Sequence, residues 1–188
     1  MALTWLMANV LPENMAAATV DHGFRTSAAD EARMVAGYCA HEHIDHQILR
    51  PPTPITGSLQ AAARAERYRL LELWRQDQQL DFVLTAHHAD DQLETILMRL
   101  NRSSGVAGLA GVRRRNGTVV RPLLNWRRAE LLSIALEQDI PFIDDPSNAD
   151  HRFDRARLRH ALTGQNLIDA EAASRSAGHL ADAEDALE

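Results

Sequence analysis

The strongest constraint on this chain is an alternation. Three short apolar runs, residues 15–20, 44–49 and 82–85, are separated by long stretches with helical periodicity. Runs of that length bounded by turn residues predict buried strands. The segments between them are long enough to cross over and bring each strand back parallel to the last. The pattern predicts an α/β fold: a parallel sheet with helices on both faces, Rossmann-like in its layering. In such sheets ligands bind beyond the carboxyl ends of the strands. Two segments fall there, Asp21-His22-Gly23 and the stretch 87–91.

The helices can be placed from their apolar faces and caps. Leu3, Leu6, Met7 and Val10 share one face, and Pro12 ends that helix. Ser27 is placed to cap a second helix, with Asp30 in the capping-box position and Met34, Val35, Tyr38 and Cys39 as its buried face. Ser58 is placed to cap a long helix reaching about Gln79. A further helix beginning at Asp90 or Asp91 carries Leu93, Ile96, Leu97 and Leu100 as its stripe. Residues 112–124 predict a hairpin turning at Asn116-Gly117. Helices are expected over 127–138 and 153–162, with a turn at 144–148. From Asp169 the chain is rich in alanine and acid, and is expected to be a helical linker or a frayed end. The expected division is a nucleotide-binding α/β domain over 1–125, a helical extension over 126–165 and a linker or tail over 166–188.

Composition narrows the classes. With 188 residues and 45% hydrophobic content, a proper core can form. No apolar run approaches the roughly 18 residues of a membrane span, so no membrane partner is expected. The single cysteine, Cys39, excludes an internal disulfide or a metal site built from several cysteines of this chain. A cytoplasmic protein is the simplest expectation. The net charge of -6 argues against a generally basic nucleic-acid binder. Yet all 20 basic residues are arginine, and more than half lie within 102–159. The planar guanidinium fork suits phosphate. A base composition favouring arginine codons explains the missing lysines equally well.

Four constellations could carry chemistry. The first is T-A-H-H-A-D-D-Q-L-E-T, residues 85–95. His87 and His88 follow a strand, and Asp91 and Glu94 share one face of a first helical turn. The acids could hold Mg²⁺ while an imidazole positions a phosphate; zinc finds too few ligands here. The plainer alternative is that the acids only answer the helix dipole. The second is Q-A-A-A-R-A-E-R-Y, where Arg64 and Arg67 could neutralise a polyphosphate, or else pair with Glu66 or Glu72 on a solvated face. The third is V-D-H-G-F-R, residues 20–25, a strand end that could hold a purine or be an ordinary turn. The fourth is the arginine set Arg113, Arg114, Arg115, Arg127, Arg128, Arg152, Arg155, Arg157 and Arg159, interleaved with Trp126 and Phe153. Arginines with stacking surfaces between them suit RNA, although any one such run is usually a solvated face.

In this order the segments resemble the tRNA(Ile)-lysidine synthetase family, a branch of the N-type ATP pyrophosphatases. The resemblance rests on V-D-H-G-F-R, S-L-Q-A-A-A-R-A-E-R-Y, T-A-H-H-A-D-D-Q-L-E-T-I-L-M-R-L, S-G-V-A-G-L-A-G, V-R-P-L-L and D-D-P-S-N-A-D-H-R-F-D-R-A-R-L-R-H. It implies an adenine nucleotide alpha hydrolase-like sheet. It implies adenylation by ATP of the C2 oxygen of the wobble cytidine in an isoleucine tRNA with a CAU anticodon. Free lysine then displaces AMP from that adenylated tRNA. It also implies Val20, Asp21, His22, Arg64 and Ala86 at ATP, Arg67, His87 and Asp91 in catalysis, and Asp91 and Glu94 at Mg²⁺. Arg113, Arg114, Arg115, Arg127, Arg128, Arg152, Arg155 and Arg157 are the candidate RNA contacts.

The sequence departs from that family in three places. The phosphate loop S-G-G-x-D-S and the strand before it are not found, so a sheet truncated at its first strand, weak ATP binding and an open sheet edge available to a homodimer are expected. Ser103, in N-R-S-S-G, stands where a glycine is common. The family's C-terminal tRNA-binding domains are not found either. The rival expectations are a tRNA thiolase of the same superfamily, an inactive fragment, and a non-catalytic nucleotide-binding module imitated by Gly105, Gly108 and Gly117-Thr118.

Overall fold

The computed structural model describes residues 1–24, 26–53, 59–143, 154–164 and 167–187. The chain divides into two compact units, Met1–Val83 with Ile134–Ile143, and Leu84–Ser133 with Asp144–Glu188. The first unit runs α1 (Ala2–Val10), β1 (Ala16–Val20), α2 (Thr26–His41), β2 (Asp45–Leu49) and α3 (Leu59–Asp77). Strands β1 and β2 are parallel, in register from Ala16 opposite Asp45 to Val20 opposite Leu49. The connection between them is a whole helix, as a parallel pair requires. Helices α2 and α3 both pack on β1, whose three consecutive alanines let the helices approach closely. Ala32, Cys39, Ile44, Ala63 and Trp74 form the buried interior of this unit.

The remaining elements are β3 (Val83–Leu84), α4 (Ala89–Leu100), α5 (Val106–Leu109), β4 (Arg115–Asn116), β5 (Val119–Val120), α6 (Arg128–Glu137), α7 (Asp154–Leu162) and α8 (Ala170–Asp185). The α/β class and the parallel pairing agree with the expectation from sequence. One pairing differs: β3 does not extend the β1–β2 sheet but stands in a second sheet of order β3-β5-β4. Its neighbour is the hairpin. Gly117 takes a φ of 58° at its turn, β4 and β5 pair antiparallel, and Thr85 N–H donates to the Val120 carbonyl at 3.0 Å. Gly117 is therefore a hairpin residue and not part of a nucleotide-binding glycine signature.

Helix starts differ from expectation in two places. Helix α2 begins at Thr26, so Ser27 lies inside its first turn, and the Asp30 carboxylate takes the Arg33 guanidinium. Helix α4 begins at Ala89 with His88 as its cap, one or two residues before the expected aspartates. Ser58 and the turn at 144–148 lie outside the described residues.

Four helix ends close in the same way. Ile44, Leu80, Ser104 and Ile140 donate to the carbonyls of Cys39, Arg75, Arg99 and Ala135, five residues back, at 2.8–3.0 Å. The residue before each donor, His43, Gln79, Ser103 and Asp139, has a φ between 49° and 56°. This is the left-handed closing turn that glycine usually supplies. Ser103 thus keeps the backbone shape of the glycine it replaces. Downstream, Gly111 has a φ of 66° and lies so near Gln92 that a Cβ would meet its Oε1 at 2.4 Å. Gln92 in turn bonds both Val112 N and Val112 O, at 2.6 and 3.0 Å, which anchors the loop to α4.

Of the two expectations for the tail, the helix is what forms: α8 is capped, the Asp169 carboxylate accepting from Glu171 N and Ala172 N at 3.2 and 3.3 Å. Ala170 packs with Ala89 and Leu93, supported by Leu97, Leu162 and Ala173. Buried Ser174 donates to the Leu124 carbonyl at 2.7 Å. Small residues on one face give a close approach that hydropathy alone does not flag. Among the described residues no helix is long and apolar enough to cross a membrane.

A left-handed non-glycine residue costs about 1–2 kcal/mol, and glycine returns part of that as unfolded-state entropy. Ser103→Gly is therefore expected to raise stability by about 0.5–1 kcal/mol, and Ser103→Val to lower it, measured as shifts in denaturant midpoint.

Candidate functional site

The junction from β3 to α4 arranges the residues of 85–95. The two adjacent histidines do different work. His87 Nδ1 lies 3.0 Å from the Thr85 hydroxyl. His88 closes α4 in a reciprocal cap: Asp91 N–H donates to His88 Nδ1 at 3.4 Å, and His88 N–H donates to Asp91 Oδ2 at 3.1 Å. His88 Nδ1 also lies 3.4 Å from Asp90 Oδ2. One ring nitrogen cannot accept from Asp91 and donate to Asp90 at the same time, so the two contacts are alternatives.

Asp90 also accepts from the Arg128 amide at 2.7 Å. The hydrogen bond with His88, then that with Arg128, holds its carboxyl well below the usual 3.8, at about 2, against the opposing effect of burial. Glu94 is only 3% exposed, and Arg159 grips both its oxygens, Nε at 2.7 Å and the terminal nitrogen at 3.1 Å. Arg155 lies 4.0 Å from the same carboxylate and donates to Thr95 Oγ1 at 3.0 Å. His88, Asp90, Glu94, Arg127, Arg128 and Arg159 line a cavity of about 430 Å³. Carboxylates and guanidinium groups on one wall suit a molecule bearing both charges.

The other strand end belongs to the first unit. Val20 ends β1 opposite Leu49, and Asp21 N–H continues the ladder to Leu49 O at 2.9 Å. Buried Asp21 accepts from Gly23 N–H at 2.9 Å and from Arg50 Nε at 3.2 Å. Those bonds, Gly23 first, hold its carboxyl below the usual range. His22 stacks on Phe24 with ring centres 5.5 Å apart. Burial, then the charge of Arg67, pushes its pKa down. Both its ring nitrogens are buried with no hydrogen-bond partner among the described residues. A neutral imidazole with two unmet nitrogens is a place where a ligand's donor or acceptor edge gains most.

On α3, Arg64 lies over the Tyr68 ring, 5.1 Å from its centre. Glu66 is held by Arg69 at 2.6 and 2.7 Å, and Glu72 by Arg75. The acids that a solvated-face reading would give to Arg64 and Arg67 are thus engaged one turn away. Among the described residues no carboxylate pairs with Arg67. Val20, Asp21, His22, Arg64 and Arg67 fall in the first unit; Ala86, which is exposed, His87, Asp91 and Glu94 fall in the second.

The arginine set is split. Arg113 pairs with Glu184 and, at 3.2 Å, with Asp185. Arg127 pairs with Asp169 and, at 2.8 Å, with Glu171. Both are bound to the acids of α8. Arg114, Arg115, Arg128 and Arg157 are exposed. Arg155 serves Thr95 and Glu94, and Arg152 and Phe153 lie outside the described residues. Sequence reasoning missed the burial of Arg121 and the grip of Arg159 on Glu94. For Arg121 there was a signal, a lone charge inside the apolar run V-V-R-P-L-L. Among the described residues no group of three or more acids, histidines and cysteines is arranged to hold a metal.

These features define a nucleotide-binding-type α/β fold with functional groups at its strand ends. A family model described as a PP-loop domain matches residues 1–166, and the chain belongs to that family. It is similar to the tRNA(Ile)-lysidine synthase of Novosphingobium aromaticivorans, 43% identical across the whole chain and 60% of that protein. The synthase of the same name from Zymomonas mobilis is 39% identical over 92% of the chain and 55% of its own length. That from Rhodopseudomonas palustris is 44% identical over the whole chain and 56% of its length. The chain thus spans a little over half the length of these curated relatives. Among solved structures, the U34-tRNA thiolase NcsA from Methanococcus maripaludis matches 96% of this chain and 67% of its own, with a TM-score of 0.78 at 15% identity. At that identity the likeness is one of fold.

Two outcomes follow from the charges. Asp90 has a lowered folded-state pKa, so its contribution to stability is present above pH about 4 and is lost as pH falls toward about 2. The stability difference between wild type and Asp90→Asn is expected to be constant near neutrality and to vanish across that window, measured by urea midpoints against pH. Arg159→Met leaves a buried carboxylate without its fork and is expected to cost about 3 kcal/mol. Adding Glu94→Leu should recover most of that loss in the same assay.

Proposed function

We propose that this chain is the ATP-using catalytic part of a tRNA(Ile)-lysidine synthase. Its partners would be an isoleucine tRNA with a CAU anticodon and free lysine, in the cytoplasm. What carries the proposal is the junction at 85–95, with its separately engaged histidines and acids, in a chain 39–44% identical to synthases of that name.

ATP fits the first unit through the unmet nitrogens of His22 beside Val20 and Asp21, and through Arg64 and Arg67 on α3. Ala86, exposed after β3 in the second unit, is the candidate ATP contact there. ATP supplies the adenylate that makes the cytidine C2 oxygen a leaving group, after which lysine's amine takes its place. Arg67 would neutralise phosphate charge as the pyrophosphate departs. His87, held by Thr85 at Nδ1, would position a phosphate or hold a proton on its imidazole.

Mg²⁺ fits Asp91, because only one of its oxygens is used by the cap and the ion ordinarily takes one or two carboxylates with phosphates and water. Glu94 fits it less well, since Arg159 already holds both oxygens. Glu94 is better assigned to setting the wall of the 430 Å³ cavity, where a zwitterion such as lysine could meet both signs of charge. Arg114, Arg115, Arg128 and Arg157 are the exposed candidates for RNA; Arg113 and Arg127 would first have to leave α8.

The test is ATP-dependent incorporation of labelled lysine into a CAU transcript by the full-length gene product, with a changed anticodon as control. Arg67→Ala, His87→Ala and Asp91→Asn are each expected to lower kcat/KM about 100-fold or more. Absence of incorporation by the wild type overturns the proposal, and nucleotide binding without incorporation assigns a non-catalytic module instead.

A further inference from the structure

Among the described residues Arg121 is a buried cation without a carboxylate partner. It is 5% exposed, and the side-chain hydrogen bond it makes runs from a terminal nitrogen to the Arg113 carbonyl at 2.7 Å. Its Nε is buried with no partner, and among the described residues no carboxylate pairs with it. Guanidinium does not shed its proton, so burial cannot neutralise it as it can a lysine or a carboxyl. A fixed buried charge left uncompensated is costly and rare.

Its surroundings supply the reason. Arg121 lines a pocket of about 520 Å³, bordered by the hairpin on one side and α8 on the other. Five arginines (113, 114, 115, 121 and 175) line that pocket against two aspartates, Asp182 and Asp185. Asp185 is already taken by Arg113, and Arg175 by Glu171 at 3.7 Å. Arg115 donates to the Gly117 carbonyl at 3.1 Å, which leaves Arg114, exposed, and Arg121, buried, with no carboxylate partner among the described residues, and Asp182 as the second acid of the lining. Proline at 122 fixes the backbone beside Arg121 and removes a competing donor.

We infer that this pocket is a binding site for a phosphate group, with Arg121 as the buried reader and Arg114 at the mouth. The forked guanidinium matches phosphate oxygens, and the pocket removes water from the pair, which strengthens it. The phosphate could be carried by an RNA backbone or be free in solution; the chemistry of the pocket is the same for both.

The experiment is thermal unfolding of the 188-residue chain titrated with inorganic phosphate at constant ionic strength, chloride serving as control. A short CAU stem-loop RNA is then titrated by anisotropy with and without phosphate. Phosphate is expected to raise the unfolding temperature saturably. Arg121→Met and Arg114→Ala are each expected to weaken the phosphate affinity about 10-fold or more. Arg121→Met should leave the unliganded unfolding temperature level or higher, because it removes an unpaired buried charge; a purely structural arginine would give a large fall. Competition between phosphate and RNA assigns the site to a backbone phosphate. Phosphate stabilisation without competition assigns it to the free ion. No saturable stabilisation, or stabilisation unchanged in both variants, overturns the inference. Arg114→Ala keeps the test open should Arg121→Met fail to fold.

Discussion

The grip of Arg159 on Glu94 is the constraint around which the second unit is built. A carboxylate 3% exposed on the first turns of α4 can persist only with a dedicated cation, and the cation comes from α7, some sixty-five residues further along the chain. The pair fixes α7 against α4 with two bonds of defined direction. Arg155, one turn earlier on α7, then falls beside Thr95, whose hydroxyl bonds back to Asp91 O at 2.7 Å. The cap residues His88 and Asp91 and the buried acid Glu94 are thus parts of one connected set of polar bonds. That set fixes the first turns of α4 from the α7 side, and with them the positions of His88, Asp91 and Glu94.

Much of this was legible because its signals are local. Strand length, helix periodicity and the Asn116-Gly117 turn each constrain a few consecutive residues, and β1, β2, α3 and the hairpin follow from them. The segment at 85–95 was legible for the same reason, since a cap and the residues it positions lie within one turn. What escaped depends on distance along the chain. Whether Glu94 meets a metal or an arginine is decided by where α7 lies, which no periodicity encodes. The pairing of β3 with β5 joins residues some thirty-five positions apart, and a two-residue strand carries no pattern that names its neighbour. The left-handed residues His43, Gln79, Ser103 and Asp139 escaped because the usual marker, glycine, is missing at all four.

The arginines teach a related lesson. In sequence they form one set; in space their partners divide them. Arg113 and Arg127 belong to α8, Arg155 and Arg159 to α4, and Arg114 faces solvent. Net charge could not separate these roles, because the acids that claim the first two arrive in the tail. A surface that looks uniformly cationic is in fact a few open guanidinium groups among many occupied ones.

Helix α8 is fastened at three points along its length. Arg127 holds its first turn, Ser174 its second and Arg113 its last. The Arg127 pairs are half-exposed, the Arg113–Glu184 pair is partly buried and the Ser174 bond is buried. The buried residues of α8, Ala170, Ser174 and Ala177, all lie in its N-terminal half, so added salt weakens its last turn, held by Arg113, before its first. The helix would fray from its C-terminal end, and the guanidinium uncovered first would be that of Arg113.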